Sequence, residues 1–514
     1  MKKVFSTADQ ALAEAIARLN GTNPFLPARV DCERAALGAE FVEAGCDWNT
    51  RPPSIEMHPN HRRLVERCEA AIARARAAWP ERGKVPTETV QLYVELVGFW
   101  LYQTYSLRFD DVIRRAQAGE RDALRPGFYR VFCDDVARYM EVPGIAGRPG
   151  SEATHLFACA FQIRRAFHHV FHSLVGGSKP MARLRAEIWQ SIFTHDLGRY
   201  RRVLFDRMGD FATLITGPSG TGKELVARAI SFSRYVPYDP RGGGFSDSFA
   251  EGFFPLNLSA LSPTLIESEL FGHRRGAFTG AVADRAGWME QCPATGSVFL
   301  DEIGDVDAGI QVKLLRVLQS RTFQRLGDTD TRHFRGKVIA ATNRDLATAM
   351  RQGAFREDFY YRLCSDLIET PSLRAQLDDR PEDLAVMVDS IAQRWVDDAE
   401  APAFAREARR WIEQNLGPHY PWPGNFRELE QCVRNVLIRG EYRPTAAVAG
   451  AAAEADWLTQ AAAGEMTAEA LLTAYTQQIF GQCGTLDAAA LKLGVDRRTV
   501  RARLPAKPLK RGRR

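Results

Sequence analysis

The sequence predicts an α/β protein in which a parallel sheet flanked by helices lies between a mainly α-helical N-terminal domain and a small α-helical C-terminal domain. Three observations carry this. Short β-branched runs at 212–216, 298–300 and 338–341 alternate with helical segments, and each ends in a polar motif, where open parallel sheets place their ligand sites. Residues 1–176 instead repeat apolar side chains at helical spacing, and the last forty or so residues hold small-residue and arginine-rich helices split by Gly494.

The 514 residues leave room for roughly three domains at ~150 residues each. The formal net charge is only +5, yet Arg497, Arg498, Arg501, Arg503, Lys507, Lys510, Arg511, Arg513 and Arg514 crowd the C-terminus, which points to an anionic partner there. Nine cysteines are scattered without CxxC spacing, so neither a disulfide framework nor a zinc site is expected, and a reducing cytoplasm is. The N-terminus lacks the apolar core of a signal peptide. The longest apolar stretch, 90–105, is broken by Glu95 and falls short of the ~20 residues that span a bilayer, so no membrane is expected.

In chain order, Val65, Cys68, Ile72, Ala75 and Trp79 mark one helix that stops at Pro80, and Val90, Val94, Val97 and Leu101 form the spine of another. A third, 154–175, is expected to end at a Gly176-Gly177 cap, and 143–150 reads as a loop. The aromatic group Phe99, Trp100, Tyr102 and Tyr105 reads as core. His168, His169 and His172 include an i, i+4 pair that can hold a metal, but no further ligand follows at a suitable spacing, so packing histidines are the stronger expectation. A helix through Leu184, Ile188 and Ile192 and a charged connector, 194–210, lead into the sheet.

After the first strand comes Gly217-Pro218-Ser219-Gly220-Thr221-Gly222-Lys223-Glu224. Glycines there free backbone N–H groups to wrap phosphates at a helix N-terminus, and Lys223 reaches the terminal phosphates: this is a P-loop. The second strand empties into Asp301 and Glu302. Asp301 is placed to hold Mg²⁺, directly or through water, and Glu302 to polarise an attacking water. The third ends in Thr342-Asn343, whose amide can sense a terminal phosphate or orient water. Arg356 and Arg362 follow six residues apart, either as surface ion-pair residues or as charges inserted into a neighbouring subunit's site. Between the P-loop and the acids, Gly276, Ala277, Phe278, Thr279, Gly280 and Ala281 bracket an aromatic ring and a hydroxyl with glycines. The stretch reads as a contact loop with a bare phenyl ring, or as a hairpin tip folded onto its own domain.

These motifs resemble the AAA+ domain of the bacterial enhancer-binding proteins, the activators of sigma-54 RNA polymerase. The resemblance runs from about 177 to 440: GxSGTGKE at 217–224, ESELFGH at 267–273, GAFTGA at 276–281, FLDEIGD at 299–305, ATNRDL at 341–346, FREDFYYRL at 355–363 and YPWPGNFRELE at 420–430. It implies an ATPase core at 177–370, a helical lid at 371–442 and a linker at 443–465. By position it implies that Asn257 is a switch restraining Glu302, that Thr342 and Asn343 are sensor I, and that Arg356 and Arg362 are fingers given in trans. Arg427 would be sensor II, and Phe278 and Thr279 would touch sigma-54. ATP and Mg²⁺ are the implied cofactors; the sigma-54 holoenzyme and further copies of the chain, usually six to a ring in such proteins, are the implied partners. Glu224 after the lysine is normal in that family. Three stretches depart from it: 230–257 is about a dozen residues longer than expected, the connector is extended, and 371–380 replaces a compact arginine-rich turn.

At the C-terminus, 467–480, 486–493 and 496–504 read as three helices, with Ala-rich 446–455 before them. A small-residue helix, a glycine turn and an arginine-studded helix suggest helix-turn-helix, resembling the Fis-type domain over 466–514. On that reading Arg497, Arg498, Thr499 and Arg501 face the major groove of double-stranded DNA at an upstream activator site, and 507–514 neutralise phosphates.

Overall fold

The structure is a computed structural model. It describes residues 3–43, 58–80, 85–140, 153–444 and 466–504, with isolated positions 142, 461 and 464. The expected loop at 143–150, the linker at 446–455 and the basic tail at 507–514 lie outside the described residues. Among those described, no helix is long and apolar enough to cross a membrane.

Among the described residues of the N-terminal third, six α-helices form: α1 Thr7–Gly21, α2 Ala28–Leu37, α3 Pro59–Ala78, α4 Thr87–Gln117, α5 Tyr129–Met140 and α6 Ala153–Ser173. The 31-residue α4 runs through their centre because it is apolar nearly all round, burying Val90, Tyr93, Leu96, Val97, Phe99, Trp100, Tyr105 and Phe109. Phe99, Trp100 and Tyr105 are thus core, as expected, while Tyr102 is half-buried. The Gly176-Gly177 pair is not the cap of α6, which ends at Ser173. It is a docking point instead: the N–H groups of Gly177 and Ser178 donate to one oxygen of Asp383 at 2.7 and 2.9 Å. At its φ of +114° a Cβ on Gly176 would stand 3.0 Å from that same oxygen.

After α7, Lys179–Phe193, the chain forms the sheet. Its strands are β1 Thr213–Thr216, β2 Phe253–Asn257, β3 Ser297–Asp301, β4 Lys337–Thr342 and β5 Asp366–Glu369. All pair in parallel, in the order β5-β1-β4-β3-β2. The central strands are buried on both faces, which is why they read as unbroken apolar runs. Register sets the site: Thr216 lies level with Thr342, and Asn257 with Asp301, at the C-terminal ends of the strands.

The expected boundary at 176/177 does not divide two compact bodies. Residues 1–402 together with 424–427 form one unit, and 403–423 with 428–514 form another, so the expected lid is shared between them. Within the second unit, Glu428 accepts hydrogen bonds from the hydroxyls of Tyr420 (2.6 Å) and Tyr442 (3.1 Å). The same unit holds the three C-terminal helices, Ala468–Cys483, Leu486–Leu493 and Arg497–Ala502.

Candidate functional site

The P-loop joins β1 to α8, Lys223–Ser231. Gly217, Gly220 and Gly222 take φ of +137°, +77° and +89°, values that favour glycine. Space as well as torsion requires two of them. A Cβ on Gly217 would overlap Thr370, and one on Gly220 would overlap the carbonyl oxygen of Gly424. Lys223 is buried, and its Nζ donates to the carbonyls of Gly217 and Pro218 at 3.0 Å. Burial pushes its ammonium below the ordinary lysine range, against the opposing charges of Glu302 and Asp301. Thr221 bonds the Pro218 carbonyl and the Thr370 hydroxyl. Glu224 is turned along its own helix to Arg228 at 2.7 Å.

Asp301 closes β3, and its Oδ1 accepts the N–H of Glu302 at 3.1 Å. Burial, then the charge of Glu302, raises its carboxyl above the usual range. Glu302 sits in the left-handed region (φ +55°), and its Oε2 is buried without a hydrogen-bond partner among the described residues. Two carboxylates, one with an unsatisfied buried oxygen, beside a buried ammonium fit a hard cation and a polarised water. Among the described residues no cluster of three His, Cys, Asp or Glu side chains is placed to hold a metal. Of the histidines, His168 is buried and meets Gln117 at 3.2 Å, while His169 lies against Phe232.

The remaining sites are placed unevenly. Thr342 is buried at the end of β4 and accepts the N–H of Arg344, whose guanidinium pairs with Asp305; Asn343 is exposed. Asn257 does not reach Glu302: its Oδ1 accepts the N–H and hydroxyl of Ser259 at 3.0 and 2.8 Å. Arg427 does reach the P-loop, donating to the Ser219 hydroxyl at 3.3 Å. Beside it, Asn425 bonds the Ser219 carbonyl and the Phe426 N–H bonds the Gly220 carbonyl. Arg356 opens the helix Glu357–Leu363 and clamps Asp358 through two bonds of 2.9 and 2.7 Å, whereas exposed Arg362 makes no side-chain bond or ion pair among the described residues. Thr370, Asn425 and Gln311 escaped sequence reasoning. Gln311 is buried and bonds the carbonyls of Val306 and Ala354 and the N–H of Arg356, so it fixes where that helix begins.

The Gly276-to-Ala281 loop lies between short strands Gly272–His273 and Arg285–Ala286. Its own ends are bonded, the Gly276 N–H to the Ala281 carbonyl at 2.8 Å, and Arg274 braces its base on Asp284 and Asp328. Of the two readings of this stretch, a bare ring and a tip folded onto its own domain, the ring itself follows the second. Phe278 is half-buried and meets the His273 ring edge-on with centroids 5.0 Å apart. A neighbouring imidazole is a better partner for its apolar face than water. What the tip exposes is Thr279, Gly280 and Val282, the last 83% exposed.

In the C-terminal helices, Ile479, Ala489 and Val500 form a small core. Asp496 caps Arg497–Ala502 by accepting the N–H groups of Arg498 and Thr499. Arg498 and Arg501 are exposed, Arg497 pairs with Asp487 at 3.3 Å, and the Thr499 hydroxyl donates to Asp496.

Residues 200–369 match the Sigma-54 interaction domain. They hold the P-loop, the acidic pair and the Gly276-to-Ala281 loop within the parallel sheet and its flanking helices. The transcriptional regulatory protein ZraR of Escherichia coli O157:H7 is 39% identical over 304 residues, covering 57% of this chain and 62% of that protein. The nitrogen fixation protein VnfA of Azotobacter vinelandii is 38% identical over 275 residues (52% and 45%), and the alginate biosynthesis regulator AlgB of Pseudomonas aeruginosa 36% over 295 (57% and 61%). The chain thus spans between about half and three fifths of the length of the curated relatives it matches. In solved structures, NtrX from Brucella abortus in complex with ATP aligns with 69% of this chain and 75% of its own, at 24% identity and a TM-score of 0.37.

Proposed function

We propose that this protein is a sigma-54-dependent transcription activator. It hydrolyses MgATP in a ring of its own copies, hexameric by family resemblance, and drives the Gly276-to-Ala281 loop against the sigma-54 polymerase so that promoter DNA opens. The observation that carries this reading is the convergence of Lys223, Asp301, Glu302 and Arg427 on one P-loop inside a Sigma-54 interaction domain.

In this mechanism ATP and magnesium supply the phosphoanhydride and its charge neutralisation. The P-loop amides and Lys223 hold the phosphates, with Arg427 closing over Ser219. Asp301 is the metal carboxylate. Glu302, its Oε2 unpaired, accepts a proton from the attacking water. Asn257 swings from Ser259 to restrain Glu302 until nucleotide is seated. Thr342 and Asn343 orient the terminal phosphate. Arg362, exposed and without a partner among the described residues, and Arg356, once it leaves Asp358, reach into the next subunit's site. Thr279, exposed at the tip, touches sigma-54, backed by Phe278. Arg497, Arg498, Thr499 and Arg501 hold the complex on double-stranded DNA.

The test is Glu302→Ala in the full chain. It should bind a fluorescent ATP analogue within threefold of wild type while turnover falls at least a hundredfold. Near-normal turnover would remove Glu302 from the base role.

A further inference from the structure

The longer stretch between α8 and β2 does not hang off the ATPase as a surface loop. Residues 238–239 and 244–245 pair as a small antiparallel hairpin turned over Asp239, which accepts the N–H groups of Arg241 and Gly242. Its side chains enter the core of the N-terminal helices. Val236, Tyr238, Phe245 and Phe249 are all buried in the same apolar cluster as α4 and α6. Tyr238 stacks on Tyr129 at 4.2 Å, and Phe245 on Phe161 at 4.3 Å. The backbone also fits closely: a Cβ on Gly244 would stand 2.9 Å from the Leu124 carbonyl oxygen.

The root of this segment is bonded just as firmly to the end of α8. Gln162 on α6 donates to the Ser233 carbonyl at 2.9 Å and accepts the hydroxyl of buried Tyr200 at 2.8 Å. Ser233 in turn donates to the Ala229 carbonyl inside α8. Fully buried Arg165 donates to the Arg234 carbonyl and lies over the rings of Phe161 and Phe249. From there aromatic rings continue toward the acidic pair: His169 to Phe232 (5.3 Å), Phe232 to Phe253 (6.0 Å), and Phe253 to Phe299 (5.6 Å), two residues before Asp301.

We propose that residues 233–250 are a strap that makes the N-terminal helical domain a rigid extension of α8, so that whatever signal this domain receives acts on the nucleotide loop of its own subunit. The strap's consequence for ATP rests on the nucleotide-site reading given above; its mechanical part does not. An input that reseats α6 moves Gln162 and Arg165, and with them the helix whose first residue is Lys223. A tethered module could be cut away without loss. Here removal of 1–176 would strip the cover from Tyr238, Phe245 and Phe249 and expose a large apolar patch.

The experiment compares hydrogen–deuterium exchange of the full-length wild type with Gly244→Val, which wedges the strap off the Leu124 carbonyl, and Gln162→Ala, which unties its root. Both should speed exchange in peptides covering 223–231 at least fivefold and weaken binding of a fluorescent ATP analogue at least threefold. The strap is overturned if 234–249 exchanges faster while 223–231 keeps wild-type protection. Should Gly244→Val unfold the N-terminal helices, the milder Gln162→Ala decides alone by the same criterion. A wild type that binds no nucleotide would instead defeat the ATPase reading, and the exchange comparison would still decide the strap.

Discussion

Two glycines of the P-loop should fail for different reasons when given a methyl group. Gly220 and Gly222 both lie at positive φ, +77° and +89°, and forcing an alanine there costs roughly 1–2 kcal/mol. At Gly222 that is the whole penalty, because the new Cβ would meet only the Leu225 Cδ1 at an ordinary 3.6 Å. At Gly220 the Cβ overlaps the Gly424 carbonyl oxygen and comes within 3.1 Å of the Arg427 Cβ. The backbone there must shift, which adds about 1–3 kcal/mol. If nucleotide binding must restore the loop, Gly222→Ala weakens ATP by about 5- to 30-fold, and Gly220→Ala by about 30-fold to several thousandfold. The assay is titration of each full-length variant with a fluorescent ATP analogue, with melting of the nucleotide-free protein as a control for folding. Equal losses for the two variants would refute the claim that the close approach of Gly424 matters beyond backbone torsion.

Two further outcomes follow from single side chains. Lys337 begins β4 fully buried, donates to the Phe211 carbonyl at 2.7 Å, and is pushed down to about 7 by burial. Between about pH 7 and the unfolded value near 10.4, the unfolded chain holds a proton that the folded one has lost, so this group makes stability rise with pH. Wild type should gain up to roughly 2–3 kcal/mol between pH 7 and 9 in urea unfolding over what Lys337→Met gains; identical pH dependence in both would contradict the burial account. Arg362→Ala should leave the melting temperature of the isolated chain unchanged, since the side chain is exposed and makes no bond among the described residues, while ATPase turnover falls at least a hundredfold. Loss of stability without loss of turnover would assign Arg362 to the surface.

What could be read from the sequence followed burial. The three central strands were legible because parallel strands covered on both faces are continuous apolar runs; the observed bounds run one residue longer at each end for Ser297–Asp301 and Lys337–Thr342 and start one residue later for Thr213–Thr216. The two edge strands were not. Phe253–Asn257 carries Pro255, and Asp366–Glu369 has only two apolar residues, both features that an edge tolerates and a centre does not. The P-loop and the acids were legible because their chemistry is local. The hydrogen bond of Arg427 to Ser219 spans 208 positions, and no spacing rule could have placed it; family resemblance alone pointed to that arginine. Whether the Phe278 ring is bare or folded back was left open by the sequence, because its cover, His273, comes from the strand flanking its own loop. The insertion at 230–257 was visible as surplus length, but its partners, Tyr129 and Phe161, lie 109 and 84 residues upstream of Tyr238 and Phe245.

The central claim, that ATP turnover is spent on sigma-54 polymerase through the exposed tip, is tested most directly by Thr279→Ala in a purified system. ATPase rate and open-complex formation would be measured together on a supercoiled sigma-54 promoter. The account predicts turnover within twofold of wild type and open complexes reduced at least tenfold. Full promoter opening by Thr279→Ala, or a wild type that hydrolyses ATP yet opens no sigma-54 promoter, would contradict it.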